Sequence, residues 1–174
     1  MISAAVVIMS DRASRGQRED SSGPSLRSIV ESEGFRVLSL VVIPDDRERI
    51  VYTLQGLVGK VEAVFTAGGT GVTDRDVTPE ATLEVIDRRL PGIETALLLE
   101  GLKKTPMAVL SRQVAGLAGK TLILNLPGNP AAAQESLKPL LPALRHLVEK
   151  LRRQEEDCRD QLRRLEEENG KKIP

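Results

Sequence analysis

Four short runs of this chain are apolar and rich in β-branched residues: SAAVVIM (Ser3 to Met9), FRVLSLVVI (Phe35 to Ile43), VEAVFTA (Val61 to Ala67) and KTLILNL (Lys120 to Leu126). Continuous apolar runs of this length predict strands buried on both faces. Between them apolar residues recur at helical spacing. SGPSLRSIVESEG opens at Ser22 with a Pro in its first turn and stops at Gly34. DDRERIVYTLQGLVG sets Ile50, Val51, Leu54 and Leu57 on one face, and TPEATLEVIDRRLPG offers Thr78 as N-cap and Pro79 as first helical residue. Strand and helix alternate. The expected fold class is therefore α/β, a three-layer sandwich with a mostly parallel central sheet and right-handed crossovers.

The pattern is less regular from Gly92 to Leu117. GIETALLLEGLKK reads as a helix, and SRQVAGLAGKTLIL as a short strand, a turn at Ala118-Gly119, then the longer strand. After NLPGNP a long C-terminal helix is expected to open near Pro130 and reach Asn169, with Pro139 and Pro142 as kink points. Within it Leu144, Val148, Leu151, Glu155, Cys158, Leu162 and Leu165 alternate at four-three spacing, a heptad seam with one polar position. Either this is a solvated helix laced with weak ion pairs, or the seam packs on another subunit. The expected organisation is one α/β domain over residues 1–151, then an extended helix and frayed tail over 152–174.

Composition narrows the class. A chain of 174 residues suits one sizeable core. With no Trp, one Tyr and two Phe, that core must be aliphatic. Twenty-five basic residues balance 25 acidic ones, and no basic block marks a nucleic-acid surface. No apolar run approaches the ~20 residues of a membrane span, and the start lacks the basic flank of a signal peptide. A cytoplasmic protein is expected. Cys158 and His146 are each the only one of their kind, so a Cys or His metal cluster is excluded. A divalent ion would need carboxylates, hydroxyls and substrate oxygens, which suits Mg²⁺.

In open α/β sheets ligands bind beyond the carboxyl ends of the strands. Those ends carry Ser10-Asp11-Arg12, Pro44-Asp45-Asp46, Gly68-Gly69-Thr70-Gly71 and Pro127-Gly128-Asn129-Pro130. The glycines at 68, 69 and 71 let backbone N–H groups approach an anion, and the Thr66 and Thr70 hydroxyls add donors. A plain tight turn is the alternative. Asp74 and Asp76 follow directly. Carboxylates beside a phosphate nest make sense if a cation lies between them; Arg75 could balance them instead. Asp45 and Asp46 are either ordinary helix-capping residues or, at a strand end, partners of Asp76 around one ion. Gly128 and the helix after Asn129 face an anion or form a capped turn. The loop from Ser10 through Asp11, Arg12, Arg15, Arg18, Asp20 and Ser22 to Gly23 is long and polar, its arginines phosphate contacts or solvated.

Taken together, these segments resemble one family. SDRASRGQREDSSGPSL, TAGGTGVTDRDVTPEAT and MAVLSRQVAGLAGKTLILNLPGNPAAAQESLKPLLPALRHLVEKL, in that order along the chain, are similar to the molybdenum cofactor biosynthesis fold of the MogA/MoaB type, also a domain of gephyrin. The resemblance covers the chain to about Leu151. It implies assembly as a homotrimer, in some members a hexamer, and binding of molybdopterin, a pterin with a dithiolene and a terminal phosphate. In the adenylyltransferase branch, ATP and molybdopterin give adenylyl-molybdopterin and pyrophosphate, and the product passes to a metal-inserting partner. By motif, Asp76 corresponds to the catalytic aspartate and Asp45 to a second one, with Asp46 the alternative; both are then Mg²⁺ ligands. Ser10, Asp11, Ser22, Gly23, Thr66, Gly68, Gly69, Thr70, Gly71, Pro127, Gly128 and Asn129 correspond to substrate-binding positions. The LSRQVAGLAGKTLILNLPGNP stretch is more like the adenylyltransferase branch than like paralogues that act as pterin carriers or oligomeric scaffolds.

Overall fold

The computed structural model describes residues 1–153. Strands β1 (Ile2–Met9), β2 (Phe35–Ile43), β3 (Ala63–Ala67), β4 (Arg88–Arg89), β5 (Ala115–Ala118) and β6 (Thr121–Leu126) form one sheet in the order β2-β1-β3-β6-β5-β4. The first four in that order run parallel; β5 and β4 are antiparallel additions at one edge. The three-layer, mostly parallel α/β architecture is as expected. Met9 pairs with Ile43, Ile8 with Ala67, and Ala67 with Leu126. Four strand ends thus finish nearly level.

Period-two alternation explains both buried faces. Ala4, Val6 and Ile8 of β1 point into one core, against α2 (Ser22–Ser32), α5 (Pro91–Leu102), α6 (Pro130–Leu137) and a helix α7 over residues 141–153. Ala5, Val7 and Met9 point into the other, against α3 (Arg47–Leu57) and α4 (Thr78–Val85). Phe35 and Phe65 meet edge to face at 5.3 Å within the first core. None of the described helices is long and apolar enough to cross a membrane.

Several details depart from the sequence pattern. Thr78 is the first residue of α4, not its cap; Val77 holds that place without a side-chain bond. The long helix is broken by a 3₁₀ turn at Lys138–Leu140, because Pro139 withholds an N–H, while Pro142 is tolerated in the first turn of α7. The seam is also reassigned over its described part. Leu144 and Val148 are each 1% exposed and Leu151 packs beside them, all against this chain's own core rather than another subunit. Glu155, Cys158, Leu162 and Leu165 lie outside the described residues, and His146 is exposed.

The opposite end of the sheet, where β1 and β3 begin, carries a polar tie. Glu62 Oε2 accepts from Ser3 N and Ser3 Oγ, both at 2.8 Å, and from Arg152 Nη2 at 2.6 Å. Burial works upward on this carboxyl, but the Arg152 and Ser3 donors more than offset it and hold the pKa at about 2. A depressed carboxylate stabilises the fold above its ordinary value of 4.5, and that contribution is lost as pH falls toward 2. Glu62→Gln is expected to lower unfolding stability by about 1–3 kcal/mol at pH 7, toward the low end because Arg152 is partly exposed. The loss should shrink in acid titrations between pH 4.5 and 2. Equal denaturation midpoints at pH 7 would contradict this.

Candidate functional site

The strand order places a topological switch between β1 and β3: the chain leaves β1 to one side for β2 and crosses back for β3. A ligand crevice is expected beyond such a point. A cleft of about 370 Å³ lies there, lined by Ser10, Asp11, Arg12, Asp45, Gly68, Gly69, Arg75, Asp76 and Gly128. A larger cleft of about 460 Å³ adjoins it and shares Gly69, Asp76 and Gly128. Its other walls include Thr70, Leu97, Met107, Ala108, Leu110, Pro127 and Asn129. One cleft is polar, the other largely aliphatic, and Asp76 borders both.

Local geometry explains the glycines. Gly68 and Gly69 have φ of +108° and +61°, open to glycine without strain. A Cβ on Gly68 would lie 2.3 Å from Met9 O, and one on Gly128 would lie 3.2 Å from Gly68 Cα. The loop after β3 therefore meets the end of β1 and the loop after β6 through bare backbone. The anion nest is smaller than the motif suggests. Gly68 N donates to Leu126 O, and the Gly71 N–H is taken by Asp76. Gly69 and Thr70 supply the loop's candidate donors.

The two adjacent aspartates separate cleanly. Asp46 caps α3, accepting from Arg49 N at 2.8 Å, whereas Asp45 lines the polar cleft. Asp45 Oδ2 accepts from Asp11 N at 3.1 Å. Burial raises the Asp45 pKa, and the negative charge of Asp76 raises it further. Asp76 behaves oppositely. Burial again works upward, but Thr73 donates both its N–H (2.9 Å) and its hydroxyl (2.6 Å) to Oδ2; with Gly71 N–H and Arg112 these lower the pKa. The site holds two like charges, one reluctant and one well stabilised. Asp74 is exposed on the far side of the loop.

A raised carboxyl pKa carries a stability cost when ionised. That part of stability is full below the ordinary value of 3.8 and lost as pH rises through the raised native value. Asp45→Asn, which can still accept from Asp11 N, is thus expected to raise the Tm of the ligand-free protein at pH 7. The gain should vanish near pH 3.8. A lower Tm at pH 7 would show that ionised Asp45 is not strained.

The remaining residues sort by position. Ser10 lines the polar cleft while its hydroxyl caps the short helix α1 (Asp11–Ser14). Asp11 pairs through its carboxylate with exposed Arg75, so its backbone does the work at Asp45. Ser22 Oγ donates to Gly128 O at 3.4 Å. Asn129 caps α6 from the cleft wall, accepting from Ala131 N and Ala132 N. Two expectations change. The Thr66 hydroxyl is fully buried, bonded to Asn125 Nδ2 at 2.9 Å and Leu124 O, so it braces the sheet and offers no donor to a ligand. Gly23 is buried under Asp20 and Leu40 rather than on a cleft wall.

Other contributors were not singled out from sequence. Asn125, buried in β6, bonds Thr66 of β3, Thr82 of α4 and the N–H of Val114 just before β5, tying these together beneath the loops. The aliphatic wall comes from α5 and a 3₁₀ turn at Pro106–Leu110, within the stretch whose pattern was irregular. A run of Met107, Val109 and Leu110, each at least 49% exposed, was the available signal. Three buried side-chain oxygens have no partner among the described residues, Thr78 Oγ1, Glu80 Oε2 and Gln113 Oε1, and all belong to segments around these loops. Unsatisfied buried polar atoms gather at functional sites.

A divalent cation can be tested against this donor set. No group of three or more His, Cys, Asp and Glu converges among the described residues. Two carboxylates of opposite pKa displacement share one cleft, a hard oxygen set that a Mg²⁺-like ion fits if its ligand supplies further oxygens.

The domain is thus a mostly parallel α/β unit whose strand ends carry a glycine-lined crevice with two carboxylates beside an aliphatic one, the place where open sheets of this class hold their ligands. The family model described as "Probable molybdopterin binding domain" matches residues 5–146, and the chain belongs to that family, one of molybdenum cofactor biosynthesis. It is 38% identical to a molybdopterin adenylyltransferase of Helicobacter pylori, over 83% of this chain and 84% of that protein. It also matches a bifunctional molybdenum cofactor biosynthesis protein of Chlorobaculum tepidum (38% identity, 82% of this chain) and gephyrin of Dictyostelium discoideum (41% identity, 82% of this chain). The chain spans only 46% and 21% of those two proteins. Among solved structures, MoaB of Thermus thermophilus superposes with a TM-score of 0.81 at 41% identity, covering 87% of this chain and 96% of that one.

Proposed function

We propose that this protein binds molybdopterin and transfers AMP from ATP to its terminal phosphate, releasing pyrophosphate. The observation that carries the reading is that Asp45 and Asp76 line one cleft and that Asp76 also borders the aliphatic crevice beside it. In the step, a terminal phosphate oxygen of molybdopterin forms a bond to the α-phosphorus of ATP. The bond from that phosphorus to the bridging oxygen of pyrophosphate breaks, and its electron pair leaves with pyrophosphate. Both reactants are anionic, so the protein must align them and offset their repulsion. Asp45 and Asp76 would hold a divalent cation, which would supply that neutralising charge when bound. The Gly69 and Thr70 N–H groups hold phosphate oxygens, and Arg12 faces the same cleft. Leu97, Met107, Ala108 and Leu110 cover the ring system in place of the aromatic residues the chain lacks. A homotrimer, cytoplasmic location and hand-over to a metal-inserting enzyme complete the reading by family relationship.

Purified protein incubated with molybdopterin, ATP and Mg²⁺ should yield adenylyl-molybdopterin by mass spectrometry. Pterin binding without product, beside an active homologue, would move the chain to a carrier or scaffold role.

A further inference from the structure

The segment 71–76, which separates the clefts from the solvent side and carries Asp76, begins and ends on one guanidinium. Arg112 Nε donates to Gly71 O at 2.6 Å and Nη2 donates to Asp76 O at 2.5 Å. The remaining terminal nitrogen, Nη1, pairs with Glu80 on α4, and Arg112 N donates to Thr70 O at 2.8 Å. Arg112 lines neither cleft; it stands behind the segment, on the face shared by Thr73, Asp74 and Glu80. It therefore meets no bound substrate in those clefts. Its fork spans the two carbonyls that bound the turn, while Thr73 braces the Asp76 carboxylate from inside the turn.

We propose that Arg112 is a positioning residue: by clamping both ends of segment 71–76 it aims the Asp76 carboxylate at the divalent cation. The inference rests on the functional reading above. The geometry requires a planar donor set. Three nitrogens, fixed in one plane, reach two carbonyls and a carboxylate on different elements. A lysine ammonium at the same place is a single point on a flexible stem and cannot hold both carbonyls in that register. It would keep the positive charge near Glu80 and Asp76. Arg112→Lys thus separates aim from charge.

The test is a titration of Mn²⁺, a paramagnetic stand-in for Mg²⁺, followed by electron paramagnetic resonance on the purified full-length protein, with steady-state kinetics alongside. Outer-shell partners of metal ligands set affinity by about 10–100-fold. Arg112→Lys should raise the Mn²⁺ Kd by about that factor. It should lower kcat and leave KM for molybdopterin unchanged, because the aliphatic cleft is untouched. An Arg112→Ala variant should repeat the pattern; if it fails to fold, the lysine variant alone decides. Wild-type Mn²⁺ affinity in Arg112→Lys, or kcat and KM shifting together, overturns the inference alone. Wild-type protein that neither binds Mn²⁺ nor forms product overturns the functional reading, and the inference with it.

Discussion

Asp76→Ala is expected to abolish adenylyl transfer while pterin binding survives. The side chain borders both clefts, and its charge is kept ionised by three donors within its own turn. Removing it leaves Asp45 to hold a cation alone, in a setting that already disfavours its ionised form. Loss of one group that stabilises developing charge typically costs about 10²–10³ in kcat, and a fall of that size is expected here. The aliphatic walls are unaltered, so molybdopterin affinity by calorimetry should stay near wild type. The fold should hold as well, since the bonds lost are confined to segment 71–76. Full turnover in Asp76→Ala would remove the basis for the proposed chemistry.

The second large effect is on the fold. Gly68→Ala places a methyl 2.3 Å from Met9 O at a φ of +108°. A non-glycine residue in such a backbone region costs about 1–3 kcal/mol. The contact atom belongs to backbone at the end of β1 and cannot swing aside. A total of about 3 kcal/mol or more is expected, near the upper range for single substitutions. For a domain of this size that lowers Tm by roughly 6–12 °C. Gly59→Ala is the matched control: its φ is +75°, and nothing lies within 4 Å of the added Cβ. It should lose only the backbone share. If calorimetry finds both variants equally destabilised, close approach of the two loops is not the reason for glycine at 68.

The parallel part of the sheet was legible because β1, β3 and β6 are buried on both faces and largely apolar, a pattern with few other homes, while the edge strand β2 leaves Arg36 and Leu38 exposed. Strand β4 was not: Arg88 and Arg89 are exposed, and their pairing is dictated by β5 rather than by their own hydrophobicity. For the described part of the heptad seam, helical periodicity reports that a face is buried, not what buries it. For Leu144 and Val148 the cover is this chain's own sheet. At the site, Asp45 and Asp76 stood out because strand ends announce themselves. Thr66 was misplaced because, one residue inside β3, its hydroxyl is directed into the sheet toward Asn125. Arg112 escaped notice because it acts 36 residues from Asp76 in sequence, and no local pattern marks such a contact.

The Glu62 tie also governs how the domain can be joined to others. Arg152 Nη2 donates to Met1 O at 2.8 Å, so the chain's first residue and its last described turn meet at the amino end of the central strands, opposite the clefts. Both therefore lie at the end of the domain remote from the strand termini that carry the crevices. A junction at that end adds no covalent link beside the crevices, which accords with relatives of which this chain spans 46% and 21% of the length.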